Sequence, residues 1–271
     1  MTANIVARPA AASGTACDPA TRVTRSLLGY GVIAGPVYVT VSLAQVFTRR
    51  GFDPLRHEWS LLANGHLGWI QTANFVLSGL MMVAAAAGLR RAMGRQALIG
   101  RRSDKLRGGR QALIGRRSDK LRGGRQALIG RRSDKLRGGT GRWAPRLWAG
   151  YGLGLVSAGI FRADPSLGFP PGTPAGPGAV SWHGMLHLVS AMIGFGCLIA
   201  SCVVLARRMS AEGRRGWAAC SWGTGVVFLA AFAGVASGGG SVATTLGFVA
   251  AVLLAWAWIA AMSAHYYRSA N

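Results

Sequence analysis

The chain has 271 residues, of which 51% are hydrophobic and 14% charged, and its formal net charge is +23 at pH 7. The hydrophobic residues fall in long uncharged blocks and exceed what one soluble core would bury, which excludes an ordinary soluble domain. Three of the four cysteines lie inside these blocks, where Cys behaves as a small apolar residue, so a disulfide framework is also excluded. The composition therefore predicts an all-α polytopic membrane protein.

Residues 1–24 are rich in Ala, Thr and Ser and predict a disordered tail. Six apolar segments follow, each long enough to cross about 30 Å of hydrocarbon as a helix. They cover residues 27–47, 68–89, 143–161, 182–205, 217–237 and 242–266. The expected organisation is a tail in 1–24, transmembrane helices 1 and 2 in 25–93, an insert in 94–138, and transmembrane helices 3–6 in 139–271.

Small residues recur along these segments and allow helix backbones to approach closely. They include Gly150, Gly152, Gly154, Ala158, Gly194 and Gly196. We therefore expect a tight six-transmembrane-helix bundle.

The insert 94–138 is an exact tandem repeat, in which the 15-residue unit GRQALIGRRSDKLRG occurs three times. Each unit has four Arg, one Lys and one Asp, and few apolar residues. This pattern favours a solvated basic cytoplasmic loop whose partners are the anionic headgroups of membrane lipids. No aromatic residue alternates with the arginines as a stacking platform would require, so specific nucleic-acid binding is not expected.

Basic residues are concentrated in the connection between the second and third segments and in the connection between the fourth and fifth. By the positive-inside rule these connections are cytoplasmic, and with six spans both termini are cytoplasmic as well. The Arg-rich, Lys-poor composition is typical of a bacterial protein, which would make this an inner membrane. The outer face would then receive most of the polar chemistry, namely Asp53, His57, Glu58, Ser60, His66, Asp164, His183 and His187.

The pair His183 and His187 opens the fourth segment after a Pro- and Gly-rich stretch that contains Asp164. A spacing of four residues puts both imidazoles on one helix face. Together with Asp164 they offer the N and O ligands that Zn²⁺ prefers. The alternative is that the histidines only form hydrogen bonds with neighbouring helices.

A second polar group lies between the first two segments and contains Asp53, Arg56, His57, Glu58 and Ser60. It predicts either a solvated loop with weak ion pairs or an acid–base group or headgroup clamp. Asp164 likewise fits either a turn that pairs with Arg162 or a positioned carboxylate. If the protein is catalytic, Asp53, Ser60 and Asp164 are the candidate residues.

Three stretches, GFDPLRHEWSLLANGH, GIFRADPSLGFPPGTP and SWHGMLHLVSAMIGF, resemble the bacterial membrane proteins of domain-of-unknown-function family 998 (DUF998). The resemblance covers about 27–93 and 141–266. It implies a membrane-embedded helical protein and no established activity. Family members are similar in having a short loop where this chain has its repeats. The recurring family residues correspond to Asp53, Ser60, Trp69, Asn74, Phe75, Phe161, Asp164, Pro165, His183 and His187.

A weaker resemblance, to membrane hydrolases of the alkaline ceramidase and adiponectin-receptor type, implies a zinc site built from Ser, Asp and a His-x-x-x-His pair. Those proteins have seven spans. Two function classes therefore stay open. The protein binds a lipid or small ligand in an outer-face polar pocket, or it is a Zn-assisted hydrolase or lyase. In the second case His183, His187 and Asp164 hold the ion, and Ser60 or Asp53 assists a metal-bound water.

Overall fold

The computed structural model describes residues 18–114, 123–176, 178–237 and 241–270. Within these residues all regular structure is helical, which confirms the predicted all-α class. A short 3-10 helix, Trp59–Ala63, lies between the first two α-helices. The six α-helices are α1 (Pro19–Thr48), α2 (Gly68–Ile114), α3 (Gly123–Ile160), α4 (Trp182–Ala211), α5 (Arg215–Ala236) and α6 (Val242–Arg268).

Five of these helices, all except α3, are long and apolar enough to cross a membrane, as in a multi-pass membrane protein. The apolar half of α3 contains Pro145, Arg146 and several glycines, which lower its hydropathy. The predicted apolar segments coincide with helices to within one residue at their ends, and the segment in α3 is the least apolar of them.

Helix α1 begins at Pro19, inside the stretch that the sequence assigns to a disordered tail. The Asp18 side chain accepts a hydrogen bond from the Ala20 N–H, and proline is preorganised for the first helical turn. Asp18 also forms a salt bridge with Arg95 of α2. The Ala20 bond and then the Arg95 bond lower the pKa of the Asp18 carboxyl below its ordinary value. Residues 1–17 lie outside the described residues.

The helices form a closed ring, because each packs on its neighbour in sequence and α6 packs on α1. Glycines make the contacts on one side of this ring. A Cβ on Gly79 would lie 2.5 Å from the Gly152 carbonyl oxygen, and a Cβ on Gly154 would lie 2.7 Å from the Gly194 Cα. The expected close packing is therefore confirmed where α3 meets α2 and α4. Gly196, in contrast, has no atom near its Cβ position.

Polar side chains inside the apolar part of α1 and α2 bond to one another. The Gln45 amide donates to Gln71 Oε1 at 2.7 Å, and the Asn74 amide donates to the Tyr38 carbonyl at 3.0 Å. The Gln71 amide in turn donates to Ser42 Oγ at 3.2 Å. An unpaired amide at membrane depth is costly, so this network favours one register of α1 on α2.

The repeat segment differs from the predicted loop, since residues 94–114 and 123–138 continue α2 and α3 as helix. Most residues of the unit favour helix, so a helix already nucleated in the bundle extends into it. Residues 115–122 lie outside the described part.

In the first copy Arg95 pairs with Asp18, and Gln96 accepts a hydrogen bond from Arg208 at 2.8 Å. Gln96 also bonds to Ser269, so both ends of the described chain lie at this end of the bundle.

We predict that the first repeat copy contributes to stability and that the other two do not. Deleting 109–138 should leave the free energy of unfolding almost unchanged, because the described side-chain contacts between the insert and the bundle, at Arg95 and Gln96, lie in the first copy. Deleting 94–138 should lower it by about 1–3 kcal/mol, because Arg208, which is 5% exposed, loses its Gln96 acceptor. Thermal unfolding of both variants in detergent measures the difference. Equal stabilities would contradict the role of Gln96.

Candidate functional site

A cavity of about 500 Å³ lies inside the ring and extends to the two connections 49–67 and 161–181. All six helices contribute to its wall. Its volume lies in the range typical of small-molecule sites. Its interior is lined by aromatic side chains, including Tyr38, Phe75, Tyr151, Phe195, Phe232, Phe248 and Trp256. We call its polar end the mouth, which is formed by Glu58, Ser60, Asp164 and Ser166.

His187 of α4 lines the cavity and caps the end of α3. Its Nδ1 lies 2.8 Å from the Phe161 carbonyl oxygen and 3.1 Å from that of Ala158. These are among the last carbonyls of a helix, which have no partner within the helix itself. The side chain is 5% exposed, and its ring contacts the edge of Phe75. His187 thus fixes the end of α3 against α4.

Asp164, which follows α3, provides hydrogen-bond acceptors at the start of α4. Its two oxygens accept hydrogen bonds from the Ser181 backbone N–H at 2.7 Å and from the Ser181 hydroxyl at 2.5 Å. Ser181 is the N-cap of α4, where free N–H groups favour a negative charge. We call His187, Asp164 and Ser181 the reciprocal clamp. A side chain of α4 caps the end of α3, and a side chain that follows α3 bonds to the N-cap residue of α4.

The predicted zinc site is not supported. His183 is exposed and stacks on Trp182 at 3.6 Å between ring centroids, away from the cavity wall. The Asp164 oxygens and His187 Nδ1 already bond to protein groups. Among the residues that the structure describes, no group of three His, Cys, Asp or Glu side chains could hold a metal ion. The spacing of four residues predicts a pair, but His183, in the first turn of α4, is exposed while His187 is buried.

Of the catalytic candidates, Ser60 and Asp164 line the cavity together with His187. Asp53 is not part of the wall. Its carboxylate accepts a hydrogen bond from the Leu55 N–H at 2.9 Å, as turn-forming aspartates do. Asp53 is therefore a turn residue in this structure, separate from the mouth.

His57 joins the two connections that form the mouth. Its Nδ1 accepts from the Asp53 N–H at 2.9 Å, and its Nε2 donates to the Leu167 carbonyl at 3.0 Å. These two partners define the neutral tautomer with hydrogen on Nε2. The ring is 3% exposed and packs against Phe52 and Phe169. His57 therefore holds the connections together.

Arg49 supports the same region from the end of α1. Its guanidinium donates to the Leu62 and Asn64 carbonyls and lies over the Phe169 ring. Burial lowers the pKa of this guanidinium from its ordinary value. This positive charge thus satisfies backbone acceptors near the mouth.

The sequence did not identify the aromatic wall or the place of Glu58. Aromatic residues are common in apolar helices. When a helix is apolar on every face, its sequence has no periodicity that indicates which face points inward. The sequence signal at Glu58 is a carboxylate directly before a large aromatic residue, Trp59. The assignment of Glu58 to the cavity wall requires the tertiary structure.

We predict that Gly184→Ala disrupts the reciprocal clamp. A Cβ at Gly184 would lie 1.9 Å from Asp164 Oδ2, so the carboxylate must move away from Ser181. The free energy of unfolding should fall by about 1–3 kcal/mol through the lost hydrogen bonds. Gly196→Ala is the matched control, because the same change in the same helix meets open space and should be neutral or slightly stabilising. Thermal unfolding compares them, and equal effects would contradict the clamp.

The comparisons with known proteins agree with this helical architecture. The family model described as "Protein of unknown function (DUF998)" matches residues 32–102 and 127–265, which is more than half of the chain. No curated protein and no solved structure matches. The gap between the two matched ranges falls inside the repeat insert, as expected for an addition to the family pattern. The chain belongs to the DUF998 family.

Proposed function

We propose that the protein binds an amphiphilic small molecule, such as a lipid, in the cavity of the helix ring. The observation that supports this is the division of the cavity wall into an aromatic interior and a polar mouth. An apolar chain would fill the interior and leave contact with water, which is favourable in proportion to the apolar area removed from water. The polar end of the molecule would bond to side chains at the mouth.

The alternative of a zinc-assisted hydrolase or lyase gains no support. It requires His183, His187 and Asp164 around one ion, and His183 does not line the cavity. Ser60 at the mouth has no hydrogen bond to a general base within the described residues, so the arrangement lacks the activation that a serine nucleophile needs. Binding of an amphiphile in the cavity requires neither feature.

We further propose that α3 is a sixth span, that both termini are cytoplasmic, and that the mouth faces the outer side of a bacterial inner membrane. The basis is the distribution of charge along the bundle. Arg207, Arg208, Arg214 and Arg215 lie around the α4–α5 turn, at the end that also carries the repeats and both described chain ends. Basic residues favour the cytoplasmic side, where they contact anionic headgroups.

The topology is tested with two reporters. Green fluorescent protein fused after Asn271 should fluoresce, and alkaline phosphatase fused there should be inactive, because the first functions in the cytoplasm and the second outside it. The same reporters inserted after Pro174 of the second connection should give the opposite result. Active phosphatase after Asn271 would overturn the orientation.

The binding function is tested with a series of decyl-chain amphiphiles that differ in headgroup. At least one should stabilise the purified protein saturably, by about 2.7 kcal/mol at a hundredfold excess over its Kd. Ala191→Phe should abolish this, because Ala191 lines the cavity. The matched control Met192→Phe should retain it, because Met192 is 62% exposed on the outer face of α4. Absence of stabilisation by any member, or equal stabilisation of both variants, would contradict the proposed function.

A further inference from the structure

The ionisable side chains of the cavity wall have an unbalanced charge. Glu58 and Asp164 contribute two carboxylates, and neither Arg nor Lys is part of the wall. The hydroxyls of Ser60, Ser166, Tyr38 and Tyr151 can donate or accept hydrogen bonds, so they do not alter this balance. The mouth is therefore acidic, although the whole chain carries a net charge of +23.

The two carboxylates differ in how far the protein satisfies them. Asp164 is bonded to Ser181 at the start of α4, where the helix dipole compensates part of its charge. The Glu58 carboxylate is half-buried and has no hydrogen-bond or salt-bridge partner among the described residues. A carboxylate at the rim of an apolar cavity is stabilised when a cation reaches it. Glu58 is thus the charge that remains available to a ligand.

His187 adds a second unsatisfied acceptor. Carbonyl oxygens only accept hydrogen bonds, so the two carbonyls beside Nδ1 require the hydrogen on that nitrogen. In the neutral ring Nε2 is then an acceptor. The side chain is more than nine-tenths buried in the cavity wall, and Nε2 has no partner within the described chain. Nε2 is open to the cavity, so a ligand group that donates a hydrogen bond can reach it and is favoured there.

We propose that the ligand is an amphiphile with a positively charged amine headgroup, an inference that depends on the proposed binding function. The ammonium group pairs with Glu58 and donates a hydrogen bond to His187 Nε2, and the alkyl chain packs in the interior. The aromatic faces of that interior add attraction for a cation close to the mouth. An anionic headgroup would instead lie next to Glu58 and Asp164 with no cation to compensate it, after losing its hydration.

Three probes with the same chain separate the headgroups: decylammonium, decanol and decanoate. Binding is measured on the full-length protein by saturable thermal stabilisation, with Ala191→Phe as the blank for binding outside the cavity. Subtracting the signal of this variant also corrects for non-specific attraction of decanoate to the arginines at the end of the bundle that carries the repeats. Decylammonium should bind about tenfold more tightly than decanol, and decanoate should bind least.

Glu58→Gln should remove most of the preference for decylammonium while leaving the affinity for decanol unchanged. Asp53→Asn is the matched control, because it removes a nearby carboxylate that is not part of the cavity wall, and it should retain the preference. Tighter binding of decanol or decanoate in the unaltered protein would overturn the inference and leave the proposed function standing. An unchanged preference in Glu58→Gln would overturn the role of Glu58. Binding of none of the three probes would contradict the proposed function itself.

Discussion

The reciprocal clamp between α3 and α4 is the interaction on which the cavity depends. Each helix end has backbone groups without a partner in its own helix, and in an apolar bundle those groups must be satisfied by the protein. His187 provides a donor to the last carbonyls of α3, and Asp164 provides an acceptor to the N-cap of α4. Both side chains also line the cavity, so the same contacts fix the helix ends and the cavity wall.

The cavity follows from the unequal size of the residues around the ring. Gly79, Gly152, Gly154 and Gly194 bring α2, α3 and α4 into close backbone contact. On the other side, Phe195 of α4 packs with Phe228 and Phe232 of α5, with ring centroids 5.1 Å apart in each pair. Rings hold helices further apart than glycines do, and a ring of six helices closed in this way keeps space at its centre.

The polar side chains of the bundle fall into two groups. Gln45 and Gln71 in the apolar helices, and His57 in the connections, have partners that match their donors and acceptors. The Glu58 carboxylate and His187 Nε2 lack such partners within the described chain, and both residues lie on the cavity wall. Buried polar atoms without a partner also occur elsewhere in the bundle, among them Ser263 Oγ and Tyr266 Oη. Lack of a partner therefore supports the proposed amphiphile site only for polar groups that are open to the cavity, as Glu58 and His187 are.

The sequence by itself determined the all-α class, the approximate limits of the apolar helices, and the small residues at the contacts of α3. These are local properties, since helix length and apolar composition follow from residue order. Only the tertiary structure decided that His183 is exposed while His187 is buried, that Asp53 forms a turn, and that Glu58 lines the cavity. The direction of a polar side chain near a helix end depends on which groups of other elements come within hydrogen-bond distance, and sequence spacing does not contain that information.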